Sequence, residues 1–275
     1  MLNEGFLENI YYRYWEIEKP ETAIANVFAI HGLGGHSIWF DNAAGFFNKR
    51  KINFFSFDLP GFGQSKYPKG QIDSYNSWIE ITKSTLEKFL HDFNIKAPVF
   101  ILGHSLGALL SILLSEKVKA NGWILSVPGF EGHKETWPLF SFIFPVLAKA
   151  VLKPEENIIF PFGPELLTKN EEVRQKVKRD PLRVVNVSAR LFMQVYLLSL
   201  KAKEAKTFPK DPVIVLKANQ DKICSNVAIE RYFNELLNND KCMKSYTNSF
   251  HDLFIEDELG QIVNDISVWI IQHLS

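Results

Sequence analysis

Phe100 to Ser111 reads FILGHSLGALLS, a lone serine between two glycines where one apolar run gives way to another. The first run, PVFILG from Pro98 to Gly103, is continuously apolar, as in a strand buried on both faces. The second, LGALLSILLSEKV, has the residues of a buried helix, and a helix is expected over Leu106 to Ala120. A strand that turns at once into a helix needs a sharp bend, and Gly103 and Gly107 are small enough to let the bent backbone pack against its neighbours. Ser105 sits in the bend, where its hydroxyl has two readings. It caps the helix, as serine often does, or it is a nucleophile held in a strained turn at the carboxyl edge of a sheet, beside a helix amino terminus.

Working outward, the runs NIYYRYW, NVFAIHG, INFFSFD, PVFILG, GWILSV, PVIVLKA and KSYT are rich in β-branched and aromatic residues and read as strands. Helical patterns lie between many of them. SYNSWIEITKSTLEKFLHDF, 74 to 93, spaces Trp78, Ile81, Thr85, Phe89 and Phe93 three or four apart behind Ser74 as a cap, and 259 to 274 is similar. Near-continuous apolar strands alternating with helices predict an α/β fold with a mostly parallel central sheet flanked by helices. The alternation stops at residue 129 and resumes after 206. That segment is expected to be a helical insertion without strands, leaving 1–128 and 207–275 as the core.

Across 275 residues, 31 Lys and Arg balance 31 Asp and Glu, which argues against nucleic acid as a partner, since phosphate binding rests on clustered positive charge. Cys224 and Cys242 are too few for a disulfide scaffold and lack metal-site spacing, so they read as small buried or half-buried residues. MLNEGFLENI has neither a basic start nor an apolar h-region, so no signal peptide is read and a cytoplasmic protein is expected. WPLFSFIFPVLAKAVL, 137 to 152, is the most apolar segment. It is broken by Pro145, carries Lys149 and is too short to span a bilayer.

A serine hydroxyl is a weak nucleophile and needs a base, itself oriented by an acid. On a sheet of this kind these follow in the order Ser, Asp or Glu, His, each after a later strand. PVIVLKANQD ends in Asp221, and KSYTNSFHDLF supplies His251 thirty residues on. Asp252 competes with Asp221 as the acid, but a side chain adjacent to His251 points elsewhere. Charge developing on a carbonyl oxygen needs two backbone N–H donors. Leu106, next after the serine, offers one, and Leu33, in the loop of NVFAIHGLGGHSIWF, offers the other.

HGLGG at 31–35, DLPGFGQS at 58–65, GHSLG at 103–107 and the segments of Asp221 and His251, in this order, resemble the α/β-hydrolase family along nearly the whole chain. RDPLRVVNVSARLFMQ and the strand leading into NQDKICS resemble its monoacylglycerol lipase and lysophospholipase branch. The resemblance implies an α/β-hydrolase fold with residues 129–206 as a cap before the strand leading to the acid. It implies a serine carboxylic ester hydrolase acting through an acyl-enzyme on a small-molecule or lipid ester with one acyl chain. The same triad serves thioester hydrolysis and acyl transfer, and some proteins of this fold only bind. Phe130, Trp137, Phe140, Phe142 and Phe144 have two readings: they pack under the cap as its own small core, or they supply the lining of an acyl channel above Ser105, with the apolar segment 137 to 152 also touching a membrane surface transiently.

No cofactor is expected. HGLGGH and GFGQS do not match the dinucleotide-binding G-x-G-x-x-G with its acidic residue. His31, His36 and His104 belong to turns that already have a role and form no H-E-x-x-H, so no metal is expected. Asp58 is expected to shape a turn.

Overall fold

The computed structural model describes residues 1–208 and 211–274, and at positions 139 and 140 the backbone alone. In chain order the strands are β1 (Leu2–Leu7), β2 (Ile10–Trp15), β3 (Ala25–Ile30), β4 (Ile52–Phe57), β5 (Val99–His104), β6 (Gly122–Ser126), β7 (Asn157–Ile159), β8 (Asn186–Ser188), β9 (Val213–Ala218) and β10 (Lys241–Tyr246). Eight form one sheet in the order β1-β2-β4-β3-β5-β6-β9-β10. From β4 to β10 all neighbours run parallel, while β2 lies antiparallel to β4 and β1 to β2. Every residue of β3, β4, β5 and β6 is buried, which explains their unbroken apolar sequence. β1 has no such signature. Its residues alternate between exposed and half-buried at the sheet edge, joined to β2 through Glu8, whose φ is +58°.

The helices are α1 (Asp41–Asn48), α2 (Tyr75–Asp92), α3 (Leu106–Leu114), α4 (Phe144–Leu152), α5 (Glu171–Arg179), α6 (Ala189–Glu204), α7 (Asn226–Glu235) and α8 (Leu259–Gln272). α1 packs with α8 and α2 with α3. Ser74 caps α2, its hydroxyl accepting the Asn76 N–H at 3.2 Å, and Trp78, Thr85 and Phe89 are buried as their spacing predicts. All nine residues of α3 are buried, and it stops at Leu114 rather than Ala120. Glu116, Lys117 and Lys119 are the reason: a helix enclosed on every side has no solvent face for them, and they turn outward.

Residues 129–206 hold α4, α5 and α6, with a wide π-type turn at Leu139–Ile143 leading into α4. The expectation of no strand here is corrected by β7 and β8, a three-residue antiparallel pair. Such short pieces carry too few residues to show a period. Val146, Ile158, Ala189 and Phe192 make a small separate core. The segment is tied down by backbone bonds from Val184 to Gly34 O (3.0 Å), from Ser188 to Gly70 O (2.8 Å) and from Asp252 to Leu167 O (2.8 Å). Among the described residues no helix is long and apolar enough to cross a membrane.

Candidate active site

β5 ends at His104 and α3 begins at Leu106, so the whole turn falls on Ser105, whose φ is +53° and ψ −109°. Such a backbone is costly for a residue with a Cβ and persists only where its surroundings enforce it. Gly103 and Gly107 permit it: a Cβ at Gly103 would meet Gly107 O at 2.3 Å, and one at Gly107 would meet Ile30 O at 2.1 Å. The hydroxyl makes no capping bond to α3. It lies instead 3.1 Å from His251 Nε2.

Asp221 stands three residues beyond β9, its N–H bonded to Ala218 O at 3.2 Å. Oδ1 accepts the N–H groups of Ile223 (2.6 Å) and Cys224 (2.9 Å), which leaves Oδ2 facing His251 Nδ1 at 2.8 Å. His251 follows β10 in a loop held by Phe250 N–H to Glu256 Oε1 at 2.6 Å. Thus Ser105, His251 and Asp221, from three separate loops, form one buried hydrogen-bonded chain. Burial by itself pushes the His251 imidazole down, but the charge and hydrogen bond of Asp221 outweigh it and hold the ring well above its ordinary value. Cys224, also beside His251, acts on the ring in the same direction after Asp221, while its own thiol is pushed up by burial.

Leu33 and Leu106 both border the cavity over Ser105, and among the described residues neither N–H has an acceptor in the protein. The loop that carries Leu33 is braced from below. Asp58 accepts Ser37 N–H (2.8 Å) and Oγ (2.6 Å) on one oxygen and Gln64 N–H (2.7 Å) on the other, shaping the turn as expected. His31 accepts Leu59 N–H on Nε2 at 3.0 Å and bonds Gly32 O through Nδ1 at 2.7 Å. Burial lowers it to about 4, so it stays neutral. From the segment above, Asp180 Oδ2 accepts His36 Nε2 (2.7 Å) and Trp39 Nε1 (2.9 Å).

The cavity measures about 560 Å³ and is mostly apolar. Of the five aromatics read as its lining or as cap core, Phe130 and Trp137 line it. Phe142 does not: it packs against Trp137 (5.6 Å) and Phe192 (5.7 Å) in the small core. Phe144 does not either, being half exposed at the start of α4. The side chain of Phe140 lies outside the described residues. Trp39, Phe162 and Phe192 line the wall without having been singled out in the sequence, and Val195 lines it with them. Val195 stands in α6, where Leu191, Val195 and Leu198 recur at helical spacing, and that period is its signal in the sequence.

Asp221, Cys224 and His251 place ligand-type atoms within 4.8 Å of one another. Both Asp221 oxygens and His251 Nδ1 are spent on hydrogen bonds, so the cluster suits proton transfer better than a metal.

Residues 21–258 match the family Hydrolase_4, described as serine aminopeptidase, S33. The chain is 26% identical to a putative monoglyceride lipase of Schizosaccharomyces pombe over 97% of its length and 72% of that protein's. It is 24% identical to phospholipase YtpA of Bacillus subtilis over 94% and 99%. Its fold is similar to a soluble variant of the monoglyceride lipase of Saccharomyces cerevisiae, solved with a substrate analog, at a TM-score of 0.85 and 20% identity, covering 100% of this chain and 96% of that one. The chain therefore belongs to this serine hydrolase family of α/β-hydrolase fold, is of the esterase and lipase type, and is related to the monoacylglycerol lipase and lysophospholipase branch.

Proposed function

We propose that the chain hydrolyses carboxylic esters of single-chain lipids through an acyl-enzyme formed on Ser105. The observation that carries this is the hydrogen-bonded run from Ser105 Oγ through His251 to Asp221 under an apolar cavity. His251 Nε2 takes the Ser105 proton as Oγ attacks the ester carbonyl, and Asp221 holds the ring by Nδ1 and offsets the imidazolium charge. The N–H groups of Leu33 and Leu106 receive the negative charge on the carbonyl oxygen. The imidazolium passes its proton to the departing alcohol. Water then gives a proton to His251 and attacks the acyl-enzyme, which releases the fatty acid and restores Ser105.

Residues 129–206 serve as the cap over a core of 1–128 and 207–275. Phe130, Trp137, Phe162 and Phe192 receive the acyl chain. The cap also touches a lipid surface, a reading supported by Val151, Leu152 and Ile159, all at least 68% exposed on one segment. One panel tests the reading: p-nitrophenyl esters, monoacylglycerol, lysophosphatidylcholine, an acyl-CoA and a peptide p-nitroanilide. Turnover is expected on the esters and a single-chain lipid. Preference for the anilide or acyl-CoA overturns the ester assignment.

A further inference from the structure

Asp252 is a buried carboxylate in the cavity wall that the scheme above does not use. Its Oδ1 accepts the Phe254 N–H at 3.1 Å and starts a short turn, Leu253–Ile255. Among the described residues the partner of Oδ2 is His104 Nε2 at 3.7 Å, too far for a hydrogen bond. His104 cannot supply a countercharge. Burial, then the proximity of His251 and His31, holds it well below its ordinary value, so it is neutral. Its ring stands 5.2 Å from that of His251. Of the other charged or titratable groups around Asp252, Glu256 is a like charge spent on Thr168 and Lys169 of the cap and on Phe250. Lys169 Nζ and the Arg174 guanidinium lie over the Phe250 ring at 5.6 and 5.9 Å, Arg174 being spent on Thr168 O and Glu171, and Asp221 and Cys224 contact His251. The cation available to Asp252 is thus the imidazolium of His251.

We propose that Asp252 is a positioning residue that acts through His251, its carboxylate adding a second shielded negative charge beside the imidazole that becomes imidazolium when Ser105 attacks. The proton still travels from Ser105 Oγ to His251 Nε2, and Asp252 takes none. Burial pushes the Asp252 carboxyl up to about 6, so it is ionised at the higher pH where neutral His251 can act as a base. The inference rests on the reading of Ser105 and His251 above.

The charge has two opposed consequences. It supports the transition-state imidazolium, and it makes resting His251 hold its proton to higher pH. Asp252→Asn removes the charge but keeps an acceptor for Phe254 N–H. On a p-nitrophenyl ester, the acid limb of kcat/KM should move down by about half a pH unit or more, while plateau kcat falls about 3- to 30-fold. NMR titration of the His251 ring should show the same downward movement without turnover. Asp252→Glu, which keeps the charge, should leave the limb close to wild type, and it serves if the Asn variant does not fold. A lower plateau with an unmoved limb, or a limb moved down equally in the Glu variant, overturns the proposal. Wild-type activity in Ser105→Ala instead overturns the reading beneath it.

Discussion

At Ser105 a φ of +53° represents about 1–3 kcal/mol of stored strain, and what it accomplishes is aim: the hydroxyl leaves the helix and meets His251 Nε2. Ser105→Ala and His251→Ala should each lower kcat on an ester by about 10⁵- to 10⁶-fold, with the double variant little worse, because the two act as a unit. Asp221→Asn should lose about 10⁴-fold by favouring the wrong tautomer of His251. Steady-state kinetics with fluorophosphonate labelling checks all three, and full activity in any one removes that residue from the scheme. The pH dependence follows from the direction of the His251 shift. Only the neutral ring accepts a proton, and its pKa is raised, so activity should climb with pH through a midpoint above the ordinary histidine value of about 6.5. A kcat/KM profile with its limb below 6 would contradict this. For stability the sign is reversed: the tightly held proton stabilises the fold below the unfolded value, and that contribution is lost as pH rises through the folded one.

Among the elements, the junctions around the serine loop carry the consequences. Gly107→Ala would drive a methyl into the Ile30 carbonyl, backbone against backbone with nothing flexible to yield. A loss of several kcal/mol is expected, with a lower unfolding midpoint and loss of fluorophosphonate labelling. Asp180 couples the segment above the site to the loop that carries Leu33. Although burial opposes it, bonds from His36 and Trp39 hold its carboxyl at about 2. Their stabilisation is present above the ordinary carboxylate value near 3.8 and is lost as pH falls toward 2. Asp180→Ala should cost about 1–3 kcal/mol, visible as a drop of about 2–4 °C in unfolding midpoint per kcal/mol. It should also lower kcat as the Leu33 loop loosens. An unchanged midpoint would show that the segment is held by its backbone bonds alone.

On the scale of the whole molecule, the sheet supplies a floor and the helical insertion that holds α4, α5 and α6 a roof, with about 560 Å³ of mostly apolar space lined from both. Each buried CH₂ is worth about 0.8 kcal/mol, about fourfold in kcat/KM before ordering costs. Specificity should therefore climb steeply from acetyl esters toward long-chain ones, measured below their micelle concentrations, and a maximum at acetyl or butyryl would rule out a lined acyl channel. Co-sedimentation with liposomes checks the lipid contact. An active, folded protein that stays in the supernatant would remove it.

Seven strands of the sheet, the Ser74 cap of α2 with its buried Trp78, Thr85 and Phe89, and the turn at Ser105 were legible in the sequence, because each rests on local physics: an apolar run, a 3.6-residue period, a capping hydroxyl, a strand that meets a helix between glycines. The order of Ser105, Asp221 and His251 was legible too, since a parallel sheet brings the ends of successive strands to one edge. Tertiary structure decided the rest. β1 carries no apolar run and is a strand because β2 offers it an edge. Phe130 and Phe142 look alike in sequence, yet one faces the cavity and the other the small core, and only packing between distant segments separates them. Asp221 and Asp252 are both carboxylates near His251, but the former meets Nδ1 at 2.8 Å while the latter lies beside His104. A side chain's direction is set by the turn that carries it and by neighbours far away in the chain, so composition and spacing could nominate these groups but only the folded arrangement could assign them.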